Sequence, residues 1–405
     1  MQREPCRFLL VIFCSAGCIV NALPYLSESR KEDDAETRQL RGRRKSWWPR
    51  MLFNSGSSSA ELFRFALVTD SHLWPPSEQQ RAFSTRSDAQ PIRDGLLVAH
   101  SAEIFNTMLA DIGKFAARGG AFAVHAGDPA CGGASFHASG AEFESQLRAA
   151  ATAERAILPS GWPVHHMPGN HDLHPETGGV ESWASILGNS TGGGIGAFHA
   201  GGSGRDGDGG DGHGAYYRAI RRDGWRLLLL DTASAVRIDT DGHGRVGPVQ
   251  LRWLERQLEA ASAQGEQVII IAHQLFVHPT DSSGDVHTWF VPQYDLVENA
   301  HEVVAVLRRH APRVRLSLHG HVHANSLTTR GGVPFVTTSA ASEYPMMWRE
   351  VIVRRCELEL RTHALELPEL LDKSARRDTR GVNDAKRGGD AENHIVLRAN
   401  GAGCN

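Results

Sequence analysis

The chain has 405 residues, 41% of them hydrophobic, and a formal net charge of -3. It can therefore bury a full core, as one large domain or two small ones. So small a charge gives no electrostatic reason to expect a nucleic-acid partner or a membrane surface.

Residues 1–22 carry Arg3 and Arg7, then the apolar run Phe8 to Val20, then Val20-Asn21-Ala22. That layout predicts a secretory signal peptide cleaved after Ala22 and a secreted, extracellular protein. The run falls short of the roughly 20 residues that span a bilayer, so no stable membrane span is expected. Three of the six cysteines lie in this segment, leaving Cys131, Cys356 and Cys404. Three cannot all pair internally; a Cys356–Cys404 bridge is compatible with export, and Cys131 reads as a packed thiol close to Asp128. Residues 23–60 mix charge blocks with a Gly/Ser run and have no apolar period, which predicts a disordered linker or pro-segment.

Residues 61–365 alternate strand and helix. Apolar runs at Phe65–Val68, Ala121–Val124, Pro163–Met167, Gln267–Ile271 and Val314–Leu318 read as strands, and Ala102–Ala117, Gly140–Ile157, Pro248–Ala263 and Leu296–His310 as helices. Four short strands follow, at 326–329, 334–338, 348–354 and 357–362, and are expected to complete a second sheet. The low-complexity stretch 192–214 reads as a mobile insertion whose His199 and His213 are solvated, and residues 366–405 as a polar tail.

Each strand that precedes a polar cluster delivers it to the strand end: Asp70-Ser71-His72, Gly127-Asp128, Gly169-Asn170-His171-Asp172, His273, and Gly320-His321-Val322-His323. Strand ends converge on one edge of an α/β sheet, where such folds place their chemistry. A two-metal hydrolytic site needs carboxylate oxygens, imidazole nitrogens and a bridging oxygen ligand, and these clusters supply all three. Taken singly, each is a common turn or a hydrogen-bonded structural residue; their joint occurrence after five apolar runs is what points to metal. Period-two spacing would aim Asp70 with His72 and His321 with His323.

The order D-x-H, G-D, G-N-H-D, H, G-H-x-H resembles that of the calcineurin-like metallophosphoesterases over roughly residues 62–365. The resemblance implies a four-layer α/β/β/α sandwich of two mixed sheets with two transition-metal ions (Mn, Fe or Zn). It assigns Asp70, His72, Asp128 and His323 to the first metal, and Asp128, Asn170, His273 and His321 to the second. Catalysis would then be attack by a metal-activated water, with His171 as general acid and Asp172 either orienting it or capping its loop. Gly247–Leu254 leading to His273, and Asn299–Pro312 leading to His323, resemble class III cyclic nucleotide phosphodiesterases, which implies a small phosphoester substrate of nucleotide type. The first segment also resembles manganese-dependent ADP-ribose and CDP-alcohol diphosphatases, and Gln274 departs from the His or Pro that many relatives carry. Cys131 stands where a purple acid phosphatase needs tyrosine, and Gly127-Asp128-Pro129-Ala130-Cys131 lacks the protein-phosphatase continuation. An extracellular phosphomonoesterase, or a non-catalytic metal-binding scaffold, is the alternative.

Overall fold

The computed structural model describes residues 60–75, 97–132, 138–177, 181–188, 199–200, 216–233, 243–281, 283–290, 292–377 and 381–398. All fall within the compact unit Ser59–Asn405. The predicted signal peptide and linker, and nearly all of the glycine-rich insertion, lie outside the described residues.

Two mixed sheets form the centre. Among the described residues the first has six strands, in the order β13 (His394–Arg398), β12 (Glu357–Ala364), β11 (Met347–Arg354), β1 (Glu61–Val68), β2 (Phe122–Ala126) and β3 (Val164–Met167), and the second seven, β4 (His199–Ala200), β5 (Tyr216–Arg222), β6 (Trp225–Leu230), β7 (Gln267–Ala272), β8 (Val314–His319), β10 (Val333–Thr337) and β9 (Ser326–Arg330). In the first, β1 (Glu61–Val68), β2 (Phe122–Ala126) and β3 (Val164–Met167) run parallel. In the second, β6 (Trp225–Leu230), β7 (Gln267–Ala272) and β8 (Val314–His319) do the same.

Period-two side-chain alternation explains how the apolar runs are used. Phe65 and Leu67 of β1, Leu227 and Leu229 of β6, and Ile269 and Ile271 of β7 fill the space between the sheets. Their neighbours Ala66 and Val68 turn outward to pack with the helix Ser101–Ala117. Val268, Ile270 and Ala272 turn to the opposite outer face, to pack with the helices Pro248–Gln264 and Ala300–Arg309. A strand buried on both faces has no polar alternation to show, which is why β7 reads as one continuous run. The result is the expected α/β/β/α sandwich. Helix Gly140–Ile157 begins in a capping box between Ser139 and Glu142.

Three features depart from the sequence reading. The four late strands do not complete one sheet: β9 (Ser326–Arg330) and β10 (Val333–Thr337) join β8, whereas β11 (Met347–Arg354) and β12 (Glu357–Ala364) return to pair antiparallel beside β1. A hairpin of β5 (Tyr216–Arg222) and β6 turns on Asp223-Gly224, both at positive φ, the two-residue connection that matches strand twist. Its partner β4 (His199–Ala200) is a two-residue edge.

Residues 366–405 are also not a plain tail. Helices Pro368–Ala375 and Asn383–Arg387 lead to β13 (His394–Arg398), which pairs with β12 at the sheet edge. Edge pairing is made by backbone groups and needs few apolar side chains, so a charged composition conceals it. Ile395, Leu370 and Val382 are buried anchors. Cys356 is disulfide-bonded and Cys131 is a buried free thiol; the expected partner, Cys404, lies outside the described residues. No helix among the described residues is long and apolar enough to cross a membrane.

Candidate metal centre

All five polar clusters emerge at the C-terminal ends of parallel strands: after β1, β2 and β3 in one sheet and after β7 and β8 in the other. The loops are tied across the gaps by backbone hydrogen bonds. Asp70 N–H donates to Gly127 O at 3.1 Å, His72 N–H to Asp128 O at 3.1 Å, and Gly320 N–H to His273 O at 3.1 Å.

Asp70 and His72 do not share a face because of strand alternation, since β1 has ended at Val68. Both are in the left-handed region, with φ 53 and 44°, as are Asp128 (56°), His321 (67°) and His323 (53°). This conformation disfavours residues with a Cβ, Asp less than most. Its concentration at one sheet edge marks a strained constellation of the kind found at functional sites. The motif glycines also allow close approach: a Cβ on Gly169 would collide with Asp128 Oδ1, and one on Gly127, itself at φ 102°, with His273 Nδ1.

Two groups of donors result. Asp70, His72 and His323 present ligand atoms all within 4.8 Å of one another, and so do Asp128, His273 and His321; His72, Asp128 and His171 form a third, overlapping set between them. In the first group His323 Nε2 lies 3.3 Å from Asp70 Oδ1 and 3.2 Å from His72 Nε2. In the second, His273 Nε2 lies 3.2 Å from Asp128 Oδ2 and 3.0 Å from Asn170 Oδ1. Three of the outer nitrogens are engaged behind the cluster. His273 Nδ1 bonds Ala126 O at 2.8 Å, His321 Nε2 bonds Tyr294 O at 3.1 Å, and His323 Nδ1 bonds Glu343 Oε1 at 2.9 Å. Such outer bonds fix which nitrogen faces inward.

The electrostatics follow from burial and crowding. Burial opposes ionisation of Asp70, yet His323 and His273 hold its carboxyl well below the usual range. Asp128 is likewise lowered against its burial, by His273 and His171. Burial and His171 push His72 down to about 3, and burial and His273 push His321 down to about 3. Against their burial, Asp128 and Asp70 raise His273 to about 9, while Glu343 and Asp70 raise His323 to about 10. Three buried carboxylates, Asp70, Asp128 and Glu343, thus draw positive charge into the cluster.

The donors fit metal ions. Asp70 Oδ1 is fully buried and accepts no hydrogen bond, although three imidazole nitrogens stand 3.3, 3.8 and 3.9 Å from it. A buried carboxylate oxygen ringed by imidazoles at that range is what shared cations would satisfy.

His171 sits beside this cluster. Its backbone N–H donates to Asp128 Oδ1 at 2.9 Å, its Nδ1 lies 3.2 Å from Gly132 O, and its ring packs edge-on to His72 at 4.8 Å. Asp172 makes cap contacts: its Oδ2 accepts from Asp128 N–H at 2.9 Å and Gly169 N–H at 2.8 Å. Burial and the Asp128 charge raise its carboxyl well above the usual range. Cys131 is packed, and burial followed by Asp128 pushes its thiol upward, which suits an inert core residue. Sequence reasoning missed Glu343 and Lys386, the latter donating from Nζ to Glu343 Oε1 at 2.8 Å; neither stands in a local pattern that announces it.

The fold is the calcineurin-like metallophosphoesterase fold. No family model matches the sequence, and no curated protein matches it. Among solved structures, a dimetal phosphatase from Danio rerio is similar at a TM-score of 0.55 and 16% identity, covering 84% of this chain and 100% of that one. At that identity the likeness speaks for the fold alone. A putative 5'-nucleotidase from Staphylococcus aureus is more distant, at a TM-score of 0.39 and 10% identity, covering 78% of this chain and 58% of that one, and carries no argument here.

Proposed function

We propose that the protein is a secreted metal-dependent phosphoesterase that hydrolyses small phosphodiesters of nucleotide type. The observation that carries the reading is the convergence of Asp70, His72, Asp128, Asn170, His273, His321 and His323 from five separate strand ends onto one edge. Asp70, His72, Asp128 and His323 would hold one ion, and Asp128, Asn170, His273 and His321 the other. Bound there, the ions would supply Lewis acidity toward phosphoryl oxygens and a water acidic enough to act as nucleophile near neutral pH.

The chain's own groups do the rest. Asp128, placed between the two groups, keeps them in register. His171, anchored through its backbone to Asp128 and through Nδ1 to Gly132 O, would deliver a proton from Nε2 to the leaving oxygen. Asp172 acts on the backbone that aims both residues.

The diester preference rests on the resemblance of Gly247–Leu254 and Asn299–Pro312 to class III phosphodiesterases, and secretion on the run Phe8–Val20. The test uses the full chain with Mn²⁺, comparing bis-p-nitrophenyl phosphate with p-nitrophenyl phosphate, with an EDTA control. Metal-dependent turnover favouring the diester is expected. Preference for the monoester would replace the substrate reading, and two bound metals with no turnover of either would replace the enzyme reading with a binding one.

A further inference from the structure

The first group of donors is backed by a part of the chain that composition marks as a tail. Glu343 Oε1 accepts from His323 Nδ1 at 2.9 Å and from Lys386 Nζ at 2.8 Å. Glu343 is 4% exposed and Lys386 6%. Lysine is rarely buried so deeply, and a buried ion pair stabilises a fold no better than apolar residues of the same volume. Stability alone is thus a weak reason for this one.

Backbone contacts set its position. Asn325, two residues after His323, donates its N–H to Lys386 O at 2.8 Å and its Nδ2 to Arg387 O at 3.1 Å. Arg349, wholly buried, donates to Glu392 O at 2.8 Å and to Asn325 Oδ1 at 2.9 Å. The loop that carries Glu343 is gripped from the helix Pro368–Ala375 that precedes this segment, since Tyr344 N–H donates to Ser374 Oγ at 2.8 Å. The strand-end loop bearing His321 and His323 and the segment 382–393 are therefore one fastened unit.

Resting on the two-metal reading above, we infer that Lys386 is a positioning residue for the first metal, acting through Glu343 on His323. A carboxylate behind Nδ1 fixes the ring so that Nε2 points at Asp70 and His72. Buried with the imidazole as its sole donor, that carboxylate would be an incompletely compensated charge and would turn toward any other donor. The ammonium pins the same oxygen from the opposite side.

The test measures metal, not turnover. Metal-stripped full chain is titrated with Mn²⁺ or Zn²⁺ by calorimetry or chelator competition, for wild type, Lys386→Met, Glu343→Gln and the double variant. Lys386→Met is expected to weaken one of the two affinities by about 10–100-fold and to leave the other near wild type. The double variant should be no worse than Glu343→Gln alone, because Lys386 acts only through that carboxylate. Wild-type affinity at both positions in folded Lys386→Met overturns the inference, as does equal loss at both positions or additive loss in the double variant. If Lys386→Met does not fold, Glu343→Gln decides: two undiminished affinities overturn the inference, and one selectively weakened affinity supports it. If wild type takes up no transition metal, the two-metal reading itself falls, and the inference with it.

Discussion

The two halves of the centre are built from the same residue types but backed differently. Around Asp128, the outer nitrogens of His273 and His321 rest on the carbonyls of Ala126 and Tyr294. Around Asp70, the outer nitrogen of His323 rests on a carboxylate, itself held by an ammonium. A carbonyl backing is neutral, and in the case of Ala126 it is part of the sheet edge. A carboxylate backing makes the imidazole a more basic ligand, but it buries a charge that a distant residue must then balance. One half is thus largely local to the strand ends, and the other depends on a segment folded on from outside the βα core.

That asymmetry can be broken or sharpened. The largest effect is expected from Asp128→Asn, which removes the carboxylate proposed above to serve both ions. Outer changes alone alter metal affinity by about 10–100-fold, so loss of the bridge should lower activity by on the order of 10³-fold or more, with metal content falling on elemental analysis. Full metal content in that variant would refute the bridging role. His171→Ala should touch neither half: kcat falls roughly 10²–10⁴-fold while both metals remain bound, and metal loss would instead make His171 a ligand.

The smallest effect separates the halves by pH. His72 and His321 are held at about 3 in the fold against an ordinary 6.5, so the unfolded chain binds more protons between those values and metal-free stability falls as pH drops from 6.5 toward 3. His273 and His323 are raised to about 9 and 10, so the stability they contribute is complete below 6.5 and is lost as pH rises through those values. Thermal melts of metal-free protein should therefore peak near pH 6.5. Glu343→Gln should flatten the upper part of the alkaline limb and spare the part due to His273. An unchanged alkaline limb would deny Glu343 its hold on His323.

Much of this was legible in the sequence, because each donor follows an apolar run long enough to be a strand. The reason for their pairing was not. Alternation within a strand would bring Asp70 beside His72, but left-handed backbone beyond the strand end is what does so, and a string of residue types does not display φ. The segments that resemble phosphodiesterases also hold fastenings that no pattern announces: Gln250 clasps the backbone of Asp231 through both its amide atoms, and Asn299 clasps that of Val246. Lys386 and Glu343 were illegible for another reason: they are 43 positions apart, and neither sits in a repeat or beside a ligand.

The left-handed ligands have a consequence for how such a protein changes over time. Each of the five strand-end residues at positive φ would be relaxed by glycine, by about 1 kcal/mol. Against that relief stand the buried hydrogen bonds that glycine would forfeit, such as those from His171 N–H to Asp128 Oδ1 and from His321 N–H to Asp70 Oδ2. Backbone ease and metal-binding chemistry thus pull in opposite directions at these positions.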